Sequence, residues 1–94
     1  IVRESSTGRE IAINHWQFNS WGEKYHWEKD NEAGEKIVRE SKLTWFDPKI
    51  VLEGGAIDVN GRGICLTTSS CLLNTNRNGG LSSEKMEKYF IKIM

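Results

Sequence analysis

The chain has 94 residues, 37% of them hydrophobic, and thirteen basic side chains cancel thirteen acidic ones. That length allows one domain at most, and a chain of this size buries only roughly 60–65% of its unfolded surface. Basic and acidic residues are interspersed, so no basic field exists for nucleic acid or anionic lipid.

The four tryptophans and three phenylalanines need a core, which argues against disorder. No apolar run is long enough to span a membrane, and no signal peptide is present. Cys65 and Cys71 are too few for a disulfide scaffold, and their spacing is not that of a zinc or redox motif. They read as two reduced cysteines of a cytoplasmic protein. The chain starts at Ile1, inside what reads as a strand, and ends at Ile91-Lys92-Ile93-Met94 in or just after a helix. Both ends read as internal to a longer chain.

In chain order, Ile1 to Glu4 and Glu10 to Ile13 flank the turn chemistry of Ser5-Ser6-Thr7-Gly8-Arg9, a hairpin pattern. The aromatic-dense stretch from His15 to Trp27 fits neither periodicity and is expected to be an irregular, partly buried loop. Asp30 is a plausible N-cap for a helix to about Glu40 whose apolar stripe is Ala33, Ile37 and Val38. Gly34 inside it costs roughly 1 kcal/mol relative to alanine. Leu43 to Phe46 reads as a short strand closed by Asp47-Pro48. Ile50-Val51-Leu52 shows no alternation, as expected of a strand covered on both faces.

Asn60-Gly61 predicts a two-residue hairpin turn, with Val59 facing Arg62 and Ile57 facing Ile64. Leu72 to Gly80 reads as a long loop. A last helix starts at Ser82 or Ser83, with Met86, Tyr89, Phe90 and Ile93 on one apolar face. Two or three strands per helix predict an α/β architecture of small β-rich modules. The Asn60-Gly61 hairpin is expected in a small mixed sheet, with the last helix packed on it.

Glu53 carries the clearest chemistry. It ends an apolar strand, and Gly54-Gly55 would let a ligand approach the backbone. A carboxylate there is a natural partner for a planar guanidinium. From these residues alone, an exposed glutamate at a strand-to-turn junction is the commoner reading. His15 and His26 lack metal-ligand spacing and a nearby acidic pair. Nothing local lowers the pKa of either cysteine, so both read as packing residues. Trp16, Trp21 and Trp27 could form a stacking platform, though packing is their commoner use. Asn74 to Gly80 could bind an anion through its amides and Arg77, or be a loop pinned by its own hydrogen bonds.

Together these segments resemble the agmatine deiminases and the bacterial-type peptidylarginine deiminases. Trp16-Gln17-Phe18-Asn19-Ser20-Trp21-Gly22-Glu23-Lys24-Tyr25 is similar to W-x-F-N-[AS]-W-G-G-K-Y. Val51 to Gly55 is similar to V-L-E-G-G, and Leu66 to Asn74 to L-T-T-x-x-C-L-L-N. Asn76-Arg77-Asn78 with Leu81-Ser82 is similar to N-R-N-P-x-L-S. Order and spacing match from about residue 9 onward. Glu23 replaces a common second glycine, Ala56 a serine, Ile64 a threonine and Gly79 a proline.

The resemblance implies a fragment of a pentein, a five-bladed α/β propeller, with residues 1–94 as a single partial domain of about one blade and parts of its neighbours. It implies hydrolysis of a guanidinium group, most simply agmatine and water to N-carbamoylputrescine and ammonia, or the equivalent reaction on peptidylarginine. It implies a small guanidine substrate and no cofactor or metal. Glu53 alone matches a catalytic motif, as the guanidinium-binding carboxylate. The R-D-x-G-P aspartate, the G-H-x-D histidine and the nucleophilic cysteine would lie outside these residues, so the fragment alone would be inactive. A free-standing binding module built on the tryptophan-rich loop is the competing reading.

Overall fold

The computed structural model describes residues 1–93, without the Ile93 side chain. The chain opens with β1 (Val2–Ser5) and β2 (Gly8–Asn14), antiparallel with Val2 facing Ile11 and Ser5 facing Gly8. This is the hairpin expected from the turn residues between them. A one-turn element, α1 (Ser20–Glu23), and the helix α2 (Glu28–Ser41) then lead to β3 (Thr44–Phe46). β3 pairs parallel with β2, placing Ile13 beside Trp45, so the sheet is mixed and ordered β1-β2-β3.

The pairing runs on past β2. His15 N donates to Phe46 O at 2.8 Å, Gln17 N to Ile50 O at 2.9 Å, and Leu52 N to Gln17 O at 3.0 Å. The segment 50–52 is therefore tied to the chain by an isolated parallel bridge at Val51 rather than by a full strand. Its two outer residues point inward as period-2 geometry requires. Ile50, Leu52, Leu72 and Met86 form the buried cluster, and Trp16, Ala56, Ile57, Leu73, Leu81 and Phe90 pack against it.

α2 begins at Glu28, two residues before Asp30, and Trp27 occupies the cap position without a side-chain bond. Asp30 falls in the first turn instead, where a carboxylate still complements the helix dipole. Only Val38 of the expected stripe is buried; Ile37 is 67% exposed. Gly34 has a packing reason: a Cβ there would stand 3.1 Å from His15 Nε2.

The second hairpin departs from the two-residue turn. β4 (Ile57–Val59) pairs with β5 (Cys65–Thr67), so Val59 faces Cys65 and Ile57 faces Thr67. The connection takes Asn60 to Ile64. Asn60 Oδ1 accepts from Arg62 N at 2.8 Å and from Ile64 N at 3.1 Å. That wider side-chain-capped turn outcompetes the tight one, and Gly61 and Gly63 take its positive φ angles, +68° and +88°. Ile64 is left 57% exposed rather than paired with Ile57. The hairpin forms a separate two-stranded sheet, not part of the mixed one.

A single turn, α3 (Ser69–Leu72), runs into the stretch Leu72 to Gly80 expected to be one long loop, and that stretch itself contains a second, α4 (Thr75–Asn78). Thr68 and Asn74 cap them, each side-chain oxygen accepting from an amide of the turn that follows. α5 (Ser83–Ile93) closes the fold. Its Met86 is buried against 50–52 and α3 rather than on the hairpin sheet alone, and Phe90 stacks at a tilt on Trp16, ring centroids 5.9 Å apart. Tyr89 stays largely exposed. The Ile93 side chain, expected on the same face, lies outside the described residues.

Candidate active site

Glu53 leaves the 50–52 segment in extended conformation, φ −87° and ψ 144°, just before a single 3-10 turn, Gly54–Ala56. Ala56 N closes that turn on Glu53 O at 2.9 Å. A Cβ on Gly54 or Gly55 would meet nothing within 4 Å. Both glycine Cα positions thus face open space among the described residues.

The carboxylate is not exposed. Its side chain is 14% accessible and pairs with Arg77, 16% accessible, through Arg77 Nε and Glu53 Oε1 at 2.6 Å. The glutamate at this junction is thus mostly buried and paired rather than exposed. The Glu53 hydrogen bond, the main influence, raises the Arg77 guanidinium above its ordinary pKa against the opposing effect of burial. Arg77 had been a candidate anion contact; its anion is Glu53. Among the described residues no hydrogen bond reaches Glu53 Oε2.

The turn that carries Arg77 is fastened on both sides. Asn78 is buried; its Oδ1 accepts from Val51 N at 2.9 Å, and its Nδ2 donates to Val51 O at 2.8 Å and Leu72 O at 2.9 Å. Asn76 O accepts from Asn19 Nδ2 at 2.7 Å, and Asn76 Nδ2 donates to Gly22 O at 3.4 Å. The alternative of a stretch pinned by its own side-chain hydrogen bonds describes this segment, with the pins reaching 27 and 54 residues along the chain.

α1 is the strained partner. Ser20, Trp21, Gly22 and Glu23 all have φ between 53° and 86°. Left-handed backbone costs a non-glycine residue roughly 1–2 kcal/mol, so tertiary contacts must hold it. Asn19 Oδ1 accepts from Gly22 N at 3.1 Å. Asn31 holds the preceding residue, accepting from Phe18 N and donating to Phe18 O, both at 2.8 Å. Three of the motif segments, around residues 19–22, 53 and 76–78, thus meet at one place.

Other candidates fall elsewhere. His15 is buried, with Nδ1 3.8 Å from Asp47 Oδ2. The sequence reading missed this acidic neighbour because it lies on the far side of the α2 crossover. Trp16 packs on the core cluster, and Trp21 stands edge-on to Phe18 and to Tyr25. Trp16, Trp21 and Trp27 do not form one platform. Cys65 and Cys71 are both free and half-buried. Among the described residues no group of three or more His, Cys, Asp or Glu could hold a metal ion, and no helix is long and apolar enough to cross a membrane.

Solved deiminase structures share this arrangement of elements. Agmatine deiminase of C. jejuni, solved with substrate bound, matches with a TM-score of 0.74 and 37% identity over 90% of this chain and 25% of its own. Agmatine deiminase of Enterococcus faecalis matches with a TM-score of 0.72 and 35% identity over 81% of this chain and 22% of its own. A candidate agmatine deiminase of Shewanella baltica is 34% identical over 86% of this chain. The class is thus that of the deiminases, and the mixed α/β unit fits a fragment of the pentein propeller. The chain belongs to the Porphyromonas-type peptidyl-arginine deiminase family, whose model matches residues 2–94. It spans about a quarter of the length of the curated relatives it matches.

Proposed function

We propose that the whole protein hydrolyses the guanidinium of agmatine to N-carbamoylputrescine and ammonia, with Glu53 as a carboxylate that holds the substrate guanidinium. The observation that carries this reading is the Glu53 site itself. A low-exposure carboxylate stands just past the Val51 bridge, with one oxygen fixed by the Arg77 guanidinium and the other, among the described residues, without a hydrogen bond. Gly54 and Gly55 leave the approach open. A carboxylate oxygen offers acceptor capacity for a charge-assisted bond.

In the proposed reaction a cysteine thiolate from outside these residues attacks the guanidinium carbon, ammonia leaves, and water releases the ureido product. Glu53 orients the planar group so that its carbon faces the nucleophile. The named activities of the relatives and the substrate-bound neighbour support agmatine as substrate. The family's description supports peptidylarginine as the second reading. A cytoplasmic location is part of the same proposal. So is a single partial domain over residues 1–94; the exposed apolar side chains of Ile11, Ile37, Leu66 and Ile91 support its having further neighbours.

The test is Glu53→Gln in the full-length protein, assayed by ammonia release from agmatine and from an arginine-containing peptide. The variant keeps the volume and removes the charge. We expect kcat to fall by about 100-fold or more, comparable to losing one preorganised electrostatic partner, in a variant that a thermal melt shows to be folded. Near-normal kcat/KM in a folded variant removes Glu53 from the site.

A further inference from the structure

We propose that Arg77 is a positioning residue for Glu53: it fixes one carboxylate oxygen and leaves the other to the substrate guanidinium. The proposal rests on the reading of Glu53 given above.

An arginine that used its whole fork would occupy both carboxylate oxygens and shut out a second guanidinium. Arg77 does not do this. It gives only Nε to Glu53 Oε1, at 2.6 Å, and turns NH1 to Asn76 Oδ1 at 3.2 Å. Asn76 thereby holds the far side of the same guanidinium. The residues on either side of Arg77 are tied down as well, Asn76 to the turn at 19–22 and Asn78 to the backbone of Val51, two residues before Glu53. Both ends of the Arg77–Glu53 link therefore belong to one rigid unit. Among the described residues no other group donates to the Glu53 carboxylate. Glutamate is a flexible side chain, and among the described residues Arg77 is the group that restrains its carboxylate.

The arrangement predicts a split between kinetic constants. Arg77 is a cation beside the place where a cationic substrate would bind, so it opposes ground-state attraction. What it supplies is orientation, which acts on the chemical step. Removing it should lower kcat without raising KM. A residue that merely stabilised the fold would lose activity in step with melting temperature.

The experiment uses the full-length protein and agmatine as substrate, with wild type, Arg77→Met, Arg77→Lys, Glu53→Gln and the Glu53→Gln/Arg77→Met double variant. Melts are recorded for each. We expect Arg77→Met to lower kcat by about 10-fold or more with KM unchanged or reduced. Arg77→Lys, which can still make one charged hydrogen bond, should stay within about fivefold of wild type. The double variant should be within about twofold of Glu53→Gln alone, because Arg77 acts only through Glu53.

Wild-type kcat in folded Arg77→Met, or losses that multiply in the double variant, would overturn the proposal while leaving Glu53 in its role. Near-normal turnover by Glu53→Gln would remove the reading of Glu53 and this inference with it. Should Arg77→Met fail to fold, Arg77→Lys decides: a folded protein slower by more than about 50-fold contradicts single-bond positioning.

Discussion

Asn78 offers the most demanding test of how the 50–53 segment is held. Val51 pairs with Gln17 only through its neighbours, since the bridge bonds use Ile50 O and Leu52 N. Val51's own N–H and C=O point to the other side, and both end on the Asn78 side chain, at 2.9 and 2.8 Å. The same amide also serves Leu72 O at 2.9 Å. Replacing Asn78 with alanine leaves three backbone groups without these partners. An orphaned buried polar group costs roughly 1–3 kcal/mol, but Val51 is only half-buried and water will recover part of that. We expect a net loss of about 2–4 kcal/mol. Asn78→Asp keeps one acceptor and loses both donations, setting a carboxylate against two carbonyl oxygens. It should cost at least as much as alanine at neutral pH, and less in acid, where protonation restores one donor. Urea denaturation of the full-length protein at pH 7 and pH 4 measures both, the midpoint shift being read at constant m. An alanine variant within about 0.5 kcal/mol of wild type would refute the clamp.

Gly22→Ala should destabilise strongly, because a Cβ there would fall 2.3 Å from Asn76 Nδ2 at a φ of +86°; Gly54→Ala, with nothing within 4 Å, should leave the urea midpoint unchanged. Burial pushes the Asp47 carboxyl up, but hydrogen bonds from the Lys49 ammonium, the Lys49 amide and Gln17 outweigh it, and the net shift is downward. A depressed value contributes stability that is present above the unfolded pKa, about 3.9, and lost as pH falls through the folded one. Wild type should therefore lose more stability than Asp47→Asn between pH 6 and pH 2 in urea titrations, and equal losses would count against the pairing. Cys65→Ala and Cys71→Ala should each keep agmatine turnover within about threefold of wild type, since neither is assigned the nucleophile's part; loss of activity in a folded variant would show otherwise.

What was legible in the sequence was local. The first hairpin, and Met86 and Phe90 on the last helix's packing face, follow from turn residues and apolar spacing, and the structure has them; the strand expected at 50–52 is reduced to a single bridge at Val51. The second hairpin shows where local reasoning stopped. Asn60-Gly61 favours a tight turn by backbone preference, yet the Asn60 side chain found two amides, and Gly63 let the wider loop close. Turn propensity alone does not weigh that competition. The same residue type decided the stretch after Leu72. Asn74 is an ordinary cap, and it starts a single turn too short to show helical periodicity. Glu53 was legible as a strand-end carboxylate, but Arg77 as its partner was not. The two are 24 residues apart, and nothing in either neighbourhood specifies the other. His15 and Asp47 met across the α2 crossover for the same reason.

The spacing of the two clamped segments explains why a four-residue turn can do this work. In extended chain, Val51 and Glu53 point to the same side about 6.6 Å apart along the strand. Residues 77 and 78 are neighbours, with Cα atoms about 3.8 Å apart. A short side chain at position 78 can reach the near peptide group while a long one at 77 covers the remaining distance to Glu53. Asparagine suits the first task because its amide carries both a donor and an acceptor and so imitates one peptide unit of a neighbouring strand. Arginine suits the second by its length and its single-bond contact through Nε. An actual strand on that edge would satisfy Val51 too, but it would continue past Glu53 and cover the carboxylate. Using one asparagine in place of a strand satisfies the backbone and ends the pairing there, leaving the Glu53 carboxylate to the Arg77 guanidinium.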